Sequence, residues 1–274
     1  VPETEPLIVL PETTTITSEI GGLYSGVDIW GDRVVWAQVG EEGWDIYNYL
    51  ISRPDLGAYP LIDYEGYQGQ PAIYEDLLVY VGDGGIEFES DIYLYDISAA
   101  TLKRVGTENP YAQSDPDIYG NYIVWTDLRN DNQDIYLYDI YYEEEIQITD
   151  NEEDQRNPCI WKNRIVWEDW RNYNWDLYLH VINWFPDIDP VKFNEPVFTG
   201  NEIGYVNNFS QQNPQVSDDY IIFQDNRNYQ WDIFLYTFIN PLVGITTPLV
   251  EAPMAQTLPV IQDHTAFWLD AREY

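Results

Sequence analysis

Three stretches of the chain place carboxylates, an arginine and side-chain amides at one fixed spacing. They are Asp127-Leu128-Arg129-Asn130-Asp131-Asn132-Gln133-Asp134, Asp169-Trp170-Arg171-Asn172-Tyr173-Asn174-Trp175-Asp176 and Asp225-Asn226-Arg227-Asn228-Tyr229-Gln230-Trp231-Asp232. Asp270-Ala271-Arg272 begins a fourth before the chain ends. Two chemistries suit such a set. An Asp and an Arg two residues apart near a strand end point to the same side, and a guanidinium fork binds carboxylates bidentately. This makes Asp127 with Arg129, Asp169 with Arg171, Asp225 with Arg227 and Asp270 with Arg272 struts between loops or neighbouring sheets. The competing chemistry is a calcium site, for which Asp131 and Asp134 are the candidate ligands, because Asp, Asn and carbonyl oxygens suit a hard cation. The Arg argues against it, and the spacing is not that of an EF-hand loop.

The remaining catalytic inventory is thin. There are two histidines: His180 stands where related segments carry Tyr95, Tyr138 or Tyr236, and His264 falls at a turn. No Gly-x-Ser-x-Gly elbow, His-Glu-x-x-His zinc motif or phosphate-binding Gly-rich loop occurs. Cys159 is the sole cysteine, so neither an internal disulfide nor a Cys-rich zinc site can form. The sequence assigns no catalytic residue and no cofactor other than the candidate Ca2+. With 48 acidic against 12 basic residues, a net −36, the surface repels phosphate backbones and anionic lipid heads, which removes nucleic acid and membrane surfaces as partners. No apolar run reaches the roughly 18 residues of a membrane-spanning helix, so the chain reads as soluble. Its start, Val1-Pro2-Glu3-Thr4-Glu5, fits a mature exported chain or a trimmed one.

The elements that must hold these loops repeat along the chain. Pro158-Cys159-Ile160-Trp161-Lys162-Asn163-Arg164-Ile165-Val166-Trp167-Glu168-Asp169 returns at 116–127, 214–225 and 259–270, with weaker copies from Val27 and Pro71. The anchor aromatics Trp36, Tyr80, Trp125, Trp167, Phe223 and Trp268 lie 44, 45, 42, 56 and 45 residues apart. That period is one four-stranded propeller blade. Within each copy the apolar pattern has period two and the turns are rich in Gly, Asn and Asp, as expected of short strands. The sixth copy holds only two strands, while Leu7-Ile8-Val9-Leu10 and Thr14-Thr15-Ile16-Thr17 match a third and a fourth. The expectation is therefore an all-β, six-bladed β-propeller of four-stranded antiparallel blades. It would form one domain over 1–274, with a short tail at 1–5 and strands at 6–18 that complete the last blade and close the ring.

The series Pro-x-Ile, Ile-Val-Trp-x-Asp-x-Arg, Asp-Ile-Tyr-Leu-Tyr, Gln-Ile-Thr resembles the TolB-like, or tryptophan-aspartate-like, propeller repeat across essentially the whole chain. The resemblance implies a module of bacterial or archaeal cell-surface proteins or the periplasm, in a family that also holds gating domains of serine peptidases and polysaccharide lyases. Fold alone does not choose among these. Trp170, Tyr173 and Tyr229 occupy loop positions where a flat ring can stack on a sugar or receive a protein. The long connector 200–213, which carries Tyr205 and Phe209, should emerge on the same face. Trp44, Trp175 and Trp231 instead share the parity of core residues. The leading expectation is a non-catalytic exported module for protein or glycan binding, adhesion or envelope scaffolding. A carbohydrate-active enzyme using channel carboxylates, and a surface-layer or filament subunit self-associating through its terminal strands, are the alternatives.

Overall fold

A computed structural model describes residues 24–40, 43–83, 90–108, 110–182, 195–196, 209–240, 243–250, 254–262 and 265–270. These are almost entirely strand, with one short 3-10 turn at Pro54–Leu56. The described residues up to Asp150 form one compact unit and those from Asn151 onward a second. The segments 6–18, His264 and Tyr205 lie outside the described residues.

In the first unit, the third repeat is a four-stranded antiparallel sheet of Gln113–Tyr119, Tyr122–Asp127, Asp134–Asp139 and Glu144–Gln147. The first repeat adds Tyr24–Trp30, Arg33–Val39, Gly43–Leu50 and Tyr59–Ile62, and the second Gly66–Tyr74, Leu77–Gly82, Asp91–Asp96 and Thr101–Arg104. These two are not separate four-stranded blades. Gly43 and Trp44 pair in parallel with Gly66 and Tyr67, which joins them into one eight-stranded sheet. Glycine makes this approach possible, since a Cβ on Gly43 would collide with the Gly66 carbonyl oxygen.

In the second unit, the fourth repeat comprises Gln155–Trp161, Arg164–Asp169, Asp176–Val181 and the short Glu195–Pro196. The fifth comprises Gln211–Ser217, Tyr220–Asp225, Asp232–Asn240 and Val243–Val250, and the sixth has Gln256–Gln262 paired with Thr265–Asp270.

In the first five repeats the second strand is buried almost end to end, as in Tyr122–Asp127, Arg164–Asp169 and Tyr220–Asp225. Its β-branched and aromatic residues are covered on both faces, which is why these strands read as continuous apolar runs. Val79, Val81 and Ile92 of the second repeat pack with Ile118, Ile123 and Trp125 of the third. Tyr220, Ile222 and Ile233 of the fifth pack with Ile261 and Ala266 of the sixth. Trp125, Trp167 and Phe223 have no exposed surface. Burial of each large side chain contributes roughly 1.5–3 kcal/mol.

Every first strand carries a bulge at one position. The residues there, Gly26, Gln70, Asp115, Asn157, Asn213 and Leu258, all have φ near +50°, and the ladder register shifts at each. Such a bulge bends its strand and re-aims its polar groups. Gln70 and Asp115 exchange two hydrogen bonds of 2.9 Å between the second and third repeats. The Asn213 amide donates to Glu168 of the fourth repeat at 2.8 Å, and the Leu258 amide to Gln224 of the fifth at 3.1 Å. Between the first two repeats Asp28 accepts from the Ile73 amide at 2.7 Å.

Candidate functional site

The recurring loop begins where the second strand ends. Asp127, Asp169 and Asp225 are fully buried there. Asp127 accepts from the Trp125 indole at 3.1 Å, from Gln113 at 2.8 Å, and from the backbone N–H, Nε and a terminal nitrogen of Arg129 at 2.9, 2.9 and 2.6 Å. Burial alone would raise its carboxyl, but Arg129, Gln113 and Trp125 outweigh it and hold the pKa below the usual carboxylate range. Asp169 takes the Trp167 indole at 3.1 Å and Arg171 at 2.5 Å, and Asp225 takes Arg227 at 2.6 Å.

Each arginine also caps an aromatic pair. Trp125 faces Tyr136, Trp167 faces Tyr178 and Phe223 faces Phe234 across the strand ladder, with ring centroids 5.9, 6.2 and 6.0 Å apart. The guanidiniums of Arg129, Arg171 and Arg227 lie 4.1, 4.1 and 4.3 Å from the outer ring of each pair. The Asp/Arg pairs were expected to strut between loops or sheets. The contacts shown lie inside each repeat, between the loop and its own sheet, with Arg129 reaching Glu145 as well. The side chain of Asp270, and Arg272, lie outside the described residues.

The fourth and eighth loop positions form a second lock. Asn130 donates to Asp134, Asn172 to Asp176 and Asn228 to Asp232, at 2.8, 2.7 and 2.8 Å. Asp134 further accepts from Gln147 and Thr149, both at 3.1 Å. Burial raises the carboxyls of Asp134 and Asp176 despite these donors, and for Asp176 the charges of Asp169 and Asp225 add to it. Asp131 sits exposed at the turn. Among the described residues no group of three or more His, Cys, Asp or Glu side chains gathers as a cation site, and the oxygens of Asp134 already serve the loop.

With both ends locked, the fifth position is forced into a left-handed conformation. Asp131, Tyr173 and Tyr229 have φ of 73°, 62° and 64°. Aspartate tolerates this, whereas tyrosine gains nothing from it and the strain costs about 1 kcal/mol. Tyr173 and Tyr229 are nonetheless 79% and 91% exposed.

The connector ahead of the fifth repeat ties two such loops together. Phe209 accepts at its carbonyl from Asn174 at 3.1 Å, the Ser210 amide donates to Asn226 at 2.7 Å, and the Gln211 amide donates to the Trp175 carbonyl at 2.7 Å. Phe209 meets Tyr229 edge to face at 5.4 Å, and Trp170 lies 5.0 Å from Trp175. Arg156, paired with Glu168, covers the other ring of this group at 3.8 Å from Trp175. The structure thus places Trp170 and Tyr173 on one loop and Tyr229 on the next, with Phe209 on the connector that ties them. His180 is buried in the third strand of the fourth repeat, where burial pushes its imidazole down.

Two sets of residues escaped the sequence reading. Gln68, Gln113, Gln155, Gln211 and Gln256 each stand three residues before the proline of a first strand, a spacing visible in the aligned repeats. Gln113 shows their use: it donates to Asp127 and accepts from the Ile92 amide of the preceding repeat at 3.0 Å. The bulge residues were the second set, and their varied side chains hid a shared backbone conformation.

No protein-family model matches the chain, and no curated protein matches it. Solved structures do. TolB from Acinetobacter baumannii superposes with a TM-score of 0.63 at 13% identity over 91% of this chain, which spans 59% of that protein. A putative TolB from Agrobacterium tumefaciens gives 0.58 at 14% identity over 84% of this chain and 82% of its own. The β-propeller domain of the Trilobed protease from Pyrococcus furiosus, described as having an open velcro topology, gives 0.51 at 10% over 88% and 87%. The chain is therefore an all-β protein whose repeats have the TolB-like β-propeller fold.

Proposed function

We propose that this chain is a non-catalytic propeller module, exported to the periplasm or cell surface, that binds a protein partner on the second-to-third-strand loops of the fourth and fifth repeats. Six repeats in phase, with the sequence at 6–18 matching the third- and fourth-strand pattern that the sixth repeat lacks, support a ring of six blades closed between the chain ends. The likeness to TolB proteins supports a binding module more than a complete enzyme. One observation carries the reading. The recurring Asp, Arg and Asn side chains of these loops serve the loops themselves, and the residues turned outward are the strained, exposed Tyr173 and Tyr229. Large exposed side chains that strain their own backbone are candidates for contact with another molecule.

The experiment is chemical cross-linking in an envelope extract, with the parent chain beside a variant carrying Phe209→Ser, Tyr173→Ser and Tyr229→Ser. A defined partner that cross-links to the parent and is lost from the variant supports the site. Equal cross-linking by both chains refutes it.

A further inference from the structure

We infer that the aromatic rim of Trp170, Tyr173, Phe209 and Tyr229 receives an arginine- or lysine-bearing segment of a protein partner. The inference rests on the binding site proposed above and adds the chemistry of its ligand.

Three observations converge on a cationic segment. The first is what the rim lacks. Asn172 and Asn228 hold Asp176 and Asp232, while Arg171 and Arg227 hold Asp169 and Asp225. The rings that project outward are those of Tyr173 and Tyr229, with Trp170 and Phe209 half-buried beside them, whereas a saccharide, whose surface is largely hydroxyl, needs polar side chains to satisfy it. The second is charge. The chain carries 48 acidic and 12 basic residues, and the arginines nearest the rim are already paired with carboxylates. A cationic segment is drawn in by the long-range field, and an acidic one is repelled. The third is local geometry. Arg156 over Trp175, Arg171 over Tyr178 and Arg227 over Phe234 sit 3.8, 4.1 and 4.3 Å from ring centroids in these same two repeats. A guanidinium brought by a partner onto Tyr173, Tyr229 or Phe209 would repeat a contact the protein makes internally, because the negative face of an aromatic ring attracts a cation.

The strained backbone supplies a clean variant. Asparagine is at ease with φ near +60°, so Tyr173→Asn with Tyr229→Asn removes both rings without endangering the fold. Fluorescence anisotropy would follow the full chain with three probes: a labelled peptide of about twelve residues alternating Arg with Gly and Ser, the same peptide with Glu for Arg, and a panel of neutral oligosaccharides. Parallel titrations would use a Tyr141→Ala, Tyr142→Ala chain, which loses another largely exposed pair, on the third-to-fourth-strand turn of the third repeat.

The Arg peptide is expected to bind the parent and the Tyr141/Tyr142 variant alike, and about tenfold more weakly to the Tyr173/Tyr229 variant. Binding should weaken between roughly 50 and 300 mM salt, and the Glu peptide should not bind. Equal affinity of all three chains for the Arg peptide, or no binding of it, overturns the inference. An oligosaccharide whose binding is lost with Tyr173 and Tyr229 also overturns it, while leaving the site itself standing. If no probe, and no cross-linked partner, depends on those two tyrosines, the site falls as well.

Discussion

Replacing Arg129 with methionine tests how the recurring loop is held. Asp127 is fully buried and accepts five hydrogen bonds, two of them from the Arg129 side chain at 2.9 and 2.6 Å. Methionine keeps most of the apolar stem but loses the guanidinium over Tyr136 and leaves the carboxylate with only Gln113, the Trp125 indole and a backbone amide. Breaking a buried ion pair by removing one partner costs about 3–5 kcal/mol, and the partial exposure of Arg129 places this case near 3. Thermal melts followed by near-UV circular dichroism should then fall by roughly 6–12 °C.

Acidity supplies a second reading of the same variant. In the parent, Asp127 titrates below its ordinary range, so it contributes stability above the unfolded pKa and loses it as pH falls. In the variant burial prevails and the carboxyl is raised, so the site destabilises at neutral pH and the penalty vanishes in acid. The gap between the two chains should therefore be wide at pH 7.5 and narrow toward pH 4, with other carboxylates cancelling in the comparison. Adding Asp127→Asn to Arg129→Met should recover much of the loss, since the orphaned charge is then gone. A gap under about 1 kcal/mol, or one that does not change with pH, would refute the account.

Further outcomes follow from other contacts. Tyr173→Asn and Tyr229→Asn should each stabilise the chain by about 1 kcal/mol through relief of the positive φ, seen as higher melting temperatures; unchanged or lower melting would show that no strain was stored there. Gly43→Ala should cost about 1–3 kcal/mol by forcing Gly43 away from the Gly66 carbonyl, and should speed hydrogen exchange along the bridge between the first two repeats; parent-like exchange would exclude it. Burial pushes the Asp28 carboxyl up to about 6 against the amides of Ile73 and Ile29. The stability it contributes is thus full below the unfolded value of 3.8 and lost as pH rises through about 6, and the Ile73 amide resonance should titrate with that midpoint rather than near 4. Gln113→Leu should cost roughly 2–3 kcal/mol, because both the Ile92 amide and Asp127 lose a buried partner; denaturant titration with a shift below 1 kcal/mol would contradict it.

The strands were legible because their signals are local and repeated. Ile123-Val124-Trp125 and its counterparts announce a strand covered on both faces, and six copies in phase announce like sheets. Two features were not legible. The junction of the first two repeats depends on Gly43 meeting Gly66, a pairing that a search for four-stranded units does not anticipate. The bulges at Gln70, Asp115, Asn157, Asn213 and Leu258 share a torsion angle but no side chain, so residue identity conceals them. In the loops, the Asp–Arg spacing pointed to an ion pair, but only the folded chain brings Asn130, Asn172 and Asn228 to close the other end onto the next strand. Asp131 and Asp134 looked alike in the sequence, yet one lies exposed and the other accepts from Asn130, Gln147 and Thr149. The separation is one of burial, which composition does not encode.

A loop fastened at both ends by side chains it carries itself can change its remaining letters with little risk to the sheet beneath. Between Asp225 and Asp232 the Arg, the Asn at the fourth position and Gln230 are bound to the aspartates at either end, so the second and fifth letters can drift, as Leu128, Trp170 and Asn226 already do at the second and Asp131, Tyr173 and Tyr229 at the fifth. Neighbouring repeats can thereby acquire different outward faces from one inherited frame, much as printing type of varied characters shares one shank. Lineages carrying this repeat should differ most at those letters, and a designer wishing to retarget the protein would begin with them.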